Sequence, residues 1–203
     1  MNKSQLTNFI TKYTLGGEIK STKWTSDGNS LSTRFISGDK SVVGKVELNS
    51  FSHLSPCELG VYNTGQLSSL LSVLGDDIEV SLSNSGDKFI SMEFEDTKRK
   101  TKSKYMLSDL SVIPTPPELK NLPDSFELGI KVDPYFVNTF ISGKGALSEA
   151  ETFTILTENG ETKIVIGYAS IASNRVTIPV ETTKQTDIEP ISFNANMFAS
   201  ILN

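Results

Sequence analysis

Val61-Tyr62-Asn63-Thr64-Gly65-Gln66-Leu67-Ser68-Ser69-Leu70-Leu71-Ser72-Val73-Leu74-Gly75-Asp76-Asp77-Ile78-Glu79-Val80-Ser81 holds a strand end, a helix and a strand start in one stretch. Leu67, Leu70, Leu71 and Leu74 recur at the i, i+3, i+4, i+7 spacing that gathers apolar side chains on one stripe of a helix. Asn63 or Thr64 supplies an N-cap and Gly75 a stop, after which Ile78 and Val80 alternate with polar residues as a half-buried strand does. The polar side of the helix carries Gln66, Ser68, Ser69 and Ser72 and no carboxylate.

Three further segments share the template: Leu6, Phe9, Ile10 and Tyr13; Phe136, Val137, Phe140 and Ile141; Met197, Phe198, Ile201 and Leu202. Asp133 followed by Pro134, and Asn194, are suited to cap the last two, while Gly16, Gly17 and Gly143 are expected to close the first and third. With Lys3, Asn63, Asp133 and Asn194 as markers the spacings are 60, 70 and 61 residues, which reads as one unit used four times with extra chain at the middle junction. The strands entering the helices repeat as well. Residues 57–63 and 126–133 share Glu-Leu-Gly followed by a β-branched residue, and 188–193 is a weaker relative.

Between the helices, residues 19–36, 41–48, 78–94, 153–167 and 175–180 are rich in β-branched and aromatic side chains. They are broken at Asp27-Gly28-Asn29, Ser37-Gly38-Asp39, Asn84-Ser85-Gly86-Asp87 and Asn159-Gly160, which are hairpin signals. Few helices among many strands predict an α+β protein. The extra chain, residues 108–124, contains Pro114, Pro116, Pro117 and Pro123, and reads as a semi-rigid extended connector. The expected organisation is a first domain 1–107, a connector 108–124 and a second domain 125–203.

A chain of 203 residues with 37% hydrophobic and 21% charged residues suits two ordinary soluble domains. Its net charge of -5 is unevenly spread: fourteen cations face fourteen acids through Leu122, and five face ten beyond it. Distribution matters more than the sum for a nucleic-acid partner. Cys57 is the single cysteine and His53 the single histidine, so neither an internal disulfide nor a zinc site is expected. Cys57, beside Leu59 and Val61, reads as a buried structural thiol and His53 as a loop residue. No secretory signal or membrane span is read, which leaves a soluble cytoplasmic protein as the expectation. Catalysis finds no footing either. There is no phosphate-binding glycine loop and no Gly-x-Ser-x-Gly elbow, and the Asp76-Asp77 pair beside Gly75 is expected to terminate a helix. No catalytic residue, metal or cofactor is expected.

The stretch 61–81, with its closing acidic pair, resembles the second-helix region of the DNA sliding clamp family. The likeness is nearest the T-even-like bacteriophage branch and more distant to proliferating cell nuclear antigen. Asn159-Gly160-Glu161-Thr162-Lys163-Ile164-Val165-Ile166 resembles the hairpin that follows the family's third helix. The resemblance implies two similar clamp-type domains, each an antiparallel sheet with two short helices on one face. It further implies a homotrimeric ring around double-stranded DNA, an ATP-dependent loader, and a replicative DNA polymerase bound through a short peptide. If phage-encoded, the chain would act in the infected bacterial host cell. The family continues past its fourth helix into further strands, so the second domain is expected to lack its last strands at Asn203.

A sliding contact needs many weak phosphate interactions and few base contacts. The side chains opposite the apolar stripes suit it: Lys3, Asn8 and Lys12; Ser69 and Ser72; Asn138 and the neighbouring Lys144, with no Asp or Glu inside the helix bodies. Each is equally readable as a solvated helix face, and it is the four faces together that favour DNA. The run Lys98-Arg99-Lys100-Thr101-Lys102-Ser103-Lys104, taken as an edge strand, puts Lys98, Lys100, Lys102 and Lys104 on one face for a subunit contact, with Arg175 and Glu181 near the partner edge. Lysines also guard an edge against wrong pairing. Phe35, Ile36, Leu107, Leu110, Val112, Ile113 and Pro114 are the expected peptide pocket, or else the packing of the domain junction. The rival reading is a β-rich structural or interaction module, such as a phage virion or adhesion protein.

Overall fold

Asn2 accepts the Ser4 amide at 2.8 Å and so starts α1 (Lys3–Thr14), which buries Leu6, Phe9, Ile10 and Tyr13. The computed structural model that shows this describes residues 1–118, 124–169, 171, 173–184 and 187–202. Its contacts divide the chain into Met1–Lys120 and Asn121–Asn203. The described residues form an α+β, sheet-rich protein with four short helices and several antiparallel sheets. Among them no helix is long and apolar enough to cross a membrane.

In the first unit, β1 (Thr22–Ser26), β2 (Leu31–Ile36), β3 (Val43–Leu48) and β4 (Cys57–Val61) make an antiparallel sheet in the order β3-β2-β1-β4. Helix α2 (Thr64–Ser72) follows, capped by the Asn63 side chain on the Gln66 amide at 3.0 Å. A second sheet, β5 (Ile78–Ser85), β6 (Lys88–Asp96) and β7 (Lys102–Met106), completes the unit. Trp24, Leu59, Leu67, Leu71, Met92 and Phe94 meet in one core. Inside it Trp24 Nε1 donates to the Tyr13 hydroxyl at 3.2 Å, and Thr64 Oγ1 donates to the Lys20 carbonyl at 3.1 Å. The polar atoms that large aromatic residues carry inward are thus satisfied.

The second unit runs β8 (Gly129–Ile130), α3 (Pro134–Ala146), β9 (Thr152–Glu158), β10 (Glu161–Ile166), β11 (Val176–Pro179), β12 (Thr182–Lys184), β13 (Ile191–Asn194) and α4 (Ala195–Leu202). Its main sheet has the order β11-β10-β9-β13, and β12 pairs with β8. Both units therefore follow one plan. A helix enters a three-strand meander, a fourth strand returns beside the first, and a second helix leaves. Phe136, Phe140, Phe153, Ile164 and Ile166 fill the second core, with the Phe198 ring 4.8 Å from Phe153 and 5.0 Å from Phe140.

Several sequence expectations change. Leu15 itself takes the left-handed turn after α1, at φ 47°, before Gly16 and Gly17. A side chain there costs about 1–2 kcal/mol, offset by burial of the Leu15 side chain. Gly143 does not close α3, which runs on to Ala146. Its missing Cβ instead admits Val176 and Ile166, which would lie 3.0 and 3.3 Å from it. The strand before α3 shrinks to Gly129–Ile130, and that before α4 begins only at Ile191. Asp76 and Asp77 follow α2 at a distance and lead into β5, where the Asp76 carbonyl accepts the Lys3 amide at 2.7 Å. The basic run is strand only from Lys102. Asp96 accepts the amides of Lys98 and Arg99 at 2.8 Å each, and Lys100 has φ 59°, so residues 97–101 form the β6–β7 turn.

The connector begins folded. Ser108 pairs with Gly60 in an isolated bridge, Leu110–Val112 makes a short 3-10 turn, and Ile113 is buried. Gly60 is required beneath it, since a Cβ there would lie 2.3 Å from the Ser108 carbonyl oxygen. The connector residues 119–123 lie outside the described residues.

Candidate functional site

Asn8 and Lys12 are exposed on α1, Ser69 and Ser72 on α2, and Asn138 on α3. All four helices lack an acid in the first turn. A carboxylate there would be favoured by the helix dipole, so its absence forgoes a stabilising term. The hydroxyls are turned back onto their own helices: Ser69 donates to the Gly65 carbonyl at 3.0 Å, Ser72 to Ser69 at 2.7 Å and Thr11 to Thr7 at 2.9 Å. Two lysines differ from expectation. The half-buried Lys3 gives its ammonium to the Leu74 carbonyl just after α2. Lys144 is only 8% exposed and donates to the Ser148 carbonyl at 2.7 Å, so it does not lie on an exposed face. Lys12 is the helix lysine left pointing to solvent.

Around the connector the expected pocket residues part company. Phe35 and Ile36 are neighbours on β2 and must face opposite ways. Phe35 is 6% exposed inside the first core, under Gly44, and Ile36 is half-buried on the other face. Ile113 is buried as an anchor, Leu107 and Leu110 are half-buried, and Val112 and Pro114 are exposed. The cavity that does form beside the connector, about 350 Å³, is lined by Glu58, Gly60, Lys88, Phe89, Ser108 and Leu110. Of the expected set only Leu110 lines it. Asp109 spans its rim with Lys88 at 2.6 Å, and Lys88 together with the Ser111 amide holds that carboxyl well below the usual carboxylate range. Nothing in the linear sequence marks Phe89 and Lys88, since their nearness to the connector depends on the β5–β6 hairpin meeting β4 and Ser108 around one cavity.

The basic run is already engaged within its own unit. Lys102 meets Glu95 at 2.9 Å, Lys100 meets Glu95 at 3.5 Å, Lys104 meets Glu93 at 2.8 Å and Lys98 meets Asp77 at 2.9 Å. These are exposed pairs, weak and screened by salt. Lys102 and Lys104 share the outer face of β7 while Ser103 and Tyr105 turn inward, and among the described residues β7 pairs with β6 alone. Lys98 and Lys100 belong to the turn and not to that face. In the second unit β11 is also an edge strand, with Arg175 before it and Glu181 after it. Glu181 pairs with Lys131 at 2.9 Å.

No family model and no curated protein matches this chain. Among the described residues no group of three or more His, Cys, Asp or Glu could hold a metal ion. His53 sits exposed in a bend with its ring 5.3 Å from that of Phe51. Cys57 is half-buried, less so than expected, and burial pushes its thiol above the ordinary value.

Proposed function

We propose that the chain is a DNA sliding clamp subunit, a non-enzymatic ring component that tethers a replicative DNA polymerase to duplex DNA. The observation that carries this reading is the plan repeated in both units, each bearing two short helices whose bodies contain no carboxylate. A ring built from such units would present those helices to the duplex and hold it by topology, with weak phosphate attraction and no base readout. The edges of β7 and β11, unpaired among the described residues, are the strands that head-to-tail closure would join, since a heterologous contact that closes gives a ring. Three copies, opened by an ATP-dependent loader, are the expected assembly. The cavity beside the connector, with Leu110 and Phe89, is the place for a short polymerase peptide.

The test is the solution mass of the full chain across a concentration series, paired with its retention on closed-circular and linear DNA. A particle of three times the 22.2 kDa chain mass that leaves linear ends but stays on circles is expected. A monomer at every concentration, with equal loss from both DNA forms, overturns the reading. A second reading, a β-rich structural or interaction module, is favoured by one observation: Lys3 and Lys144 both spend their ammonium groups on carbonyls. Retention that ignores DNA topology would support it.

A further inference from the structure

The outer face of the first sheet carries Lys23 on β1, Arg34 on β2 and Lys45 on β3. The strand register sets Lys23 directly opposite Arg34, and Arg34 directly opposite Lys45. Like charges in direct cross-strand positions destabilise a sheet. What lies over this row offsets it only in part. Lys45 meets Glu47 at 2.6 Å, Lys23 Nζ donates to Thr115 Oγ1 at 2.9 Å, and Arg34 Nη2 donates to the carbonyls of Pro116 and Pro117. The proline carbonyls and the threonine hydroxyl are neutral. Arg34 Nε is buried with no hydrogen-bond partner among the described residues. Beside the row lies a cavity of about 240 Å³, lined by Lys23, Thr25, Ser32, Arg34, Lys45 and Thr115, with Glu58 also on its wall.

We propose that this cavity binds a phosphate monoester or inorganic phosphate. Lys23, Arg34 and Lys45 against Glu47 and Glu58 leave a net positive charge, which favours an anion. A phosphate group carries about -1.5 to -2 at neutral pH and has oxygens for several donors at once. The two lysines belong to flanking strands with the guanidinium between them, and the Thr115 hydroxyl, which accepts from Lys23, keeps its proton to donate. Glu47 is exposed, and its pair with Lys45 is of the weak surface kind that a dianion can displace. The site lies on the sheet's outer face, shares Glu58 with the wall of the cavity near Phe89, and lies apart from the helix faces, so it stands independently of the proposed DNA contact.

The experiment is an amide-resolved NMR titration of the full chain with inorganic phosphate at constant ionic strength, and in parallel with a phosphoserine peptide. Saturable shifts at Lys23, Arg34 and Thr115 are expected, weakened about ten-fold by Lys23→Gln or Lys45→Gln. Lys45 is exposed, so its variant keeps the fold, and a thermal melt verifies both. Saturation by inorganic phosphate assigns the site to the free anion. Tighter saturation by the phosphoserine peptide assigns it to a modified side chain, and either result supports the site. Shifts that rise linearly without saturation, that chloride reproduces, or that both lysine variants leave unchanged overturn it.

Discussion

Asp96 Oδ2 accepts the amide of Gly75 at 2.7 Å and so fastens the turn after α2 to the end of β6. The same carboxylate accepts the amides of Lys98 and Arg99 and shapes the β6–β7 turn. One side chain thereby joins two chain reversals. A Cβ at residue 75 would lie 2.3 Å from Asp96 Oδ2, too close for any contact to survive unshifted. Gly75→Ala is expected to lower stability by about 1–3 kcal/mol. Urea unfolding should show a lower midpoint at unchanged slope, and an unchanged midpoint would deny the close approach its role.

Acid should loosen the same junction. The Arg99 amide first, and then those of Lys98 and Gly75, hold the Asp96 carboxyl below its ordinary value. A depressed folded-state value means that its contribution is complete above the unfolded carboxylate range and is lost as pH falls through the folded value. Asp96→Asn should be less stable than the parent at neutral pH and should lose less on acidification. Urea midpoints measured from neutral pH down through the carboxylate range decide it, and parallel curves for the two proteins would argue against the linkage.

Two lysines should separate folding from DNA association. Lys12→Glu changes an exposed side chain and should weaken retention on DNA, reducing the salt slope by about one per contact removed. Its melting temperature should scarcely move. Lys144→Met leaves the Ser148 carbonyl without its donor and should destabilise the second unit while sparing the salt slope. The reverse pattern would mean that Lys144 reaches the duplex and Lys12 does not.

At the connector, anchor and docking surface should likewise part. Ile113→Ala empties a buried site, 3% exposed, and should cost about 2–5 kcal/mol in unfolding experiments. Phe89→Ala trims a side chain already 38% exposed. It should leave folding nearly intact while weakening binding of a polymerase-derived peptide measured by calorimetry. Equal peptide affinity in Phe89→Ala and parent would move the docking surface elsewhere.

The helices were legible because their signals are local: an apolar stripe and a capping Asn or Asp, with no proline past the first helical position. Asp133 on the Phe136 amide at 2.8 Å and Asn194 on the Met197 amide at 2.9 Å act as their positions suggest. Two of the differences are already decided by the residues themselves. Adjacent strand residues cannot share a face, which separates Phe35 from Ile36. Lys144 stands one turn beyond Phe140, on the buried stripe. Others were beyond reach of a linear reading. The β6–β7 turn is bent by the Asp96 carboxylate where alternating Lys residues suggest a continuous strand, and the Lys23, Arg34, Lys45 row exists only once three strands are in register. The cavity near Phe89 needs a hairpin from one sheet to meet a strand of another, and periodicity carries no trace of that.

With their protons committed to Gly65, Ser69 and Thr7 carbonyls, Ser69, Ser72 and Thr11 offer passing solutes only lone pairs. A phosphate oxygen is itself an acceptor and gains nothing by pausing there. Such a surface neither grips a polyanion nor expels it as carboxylates would, and it would behave as a low-friction bearing.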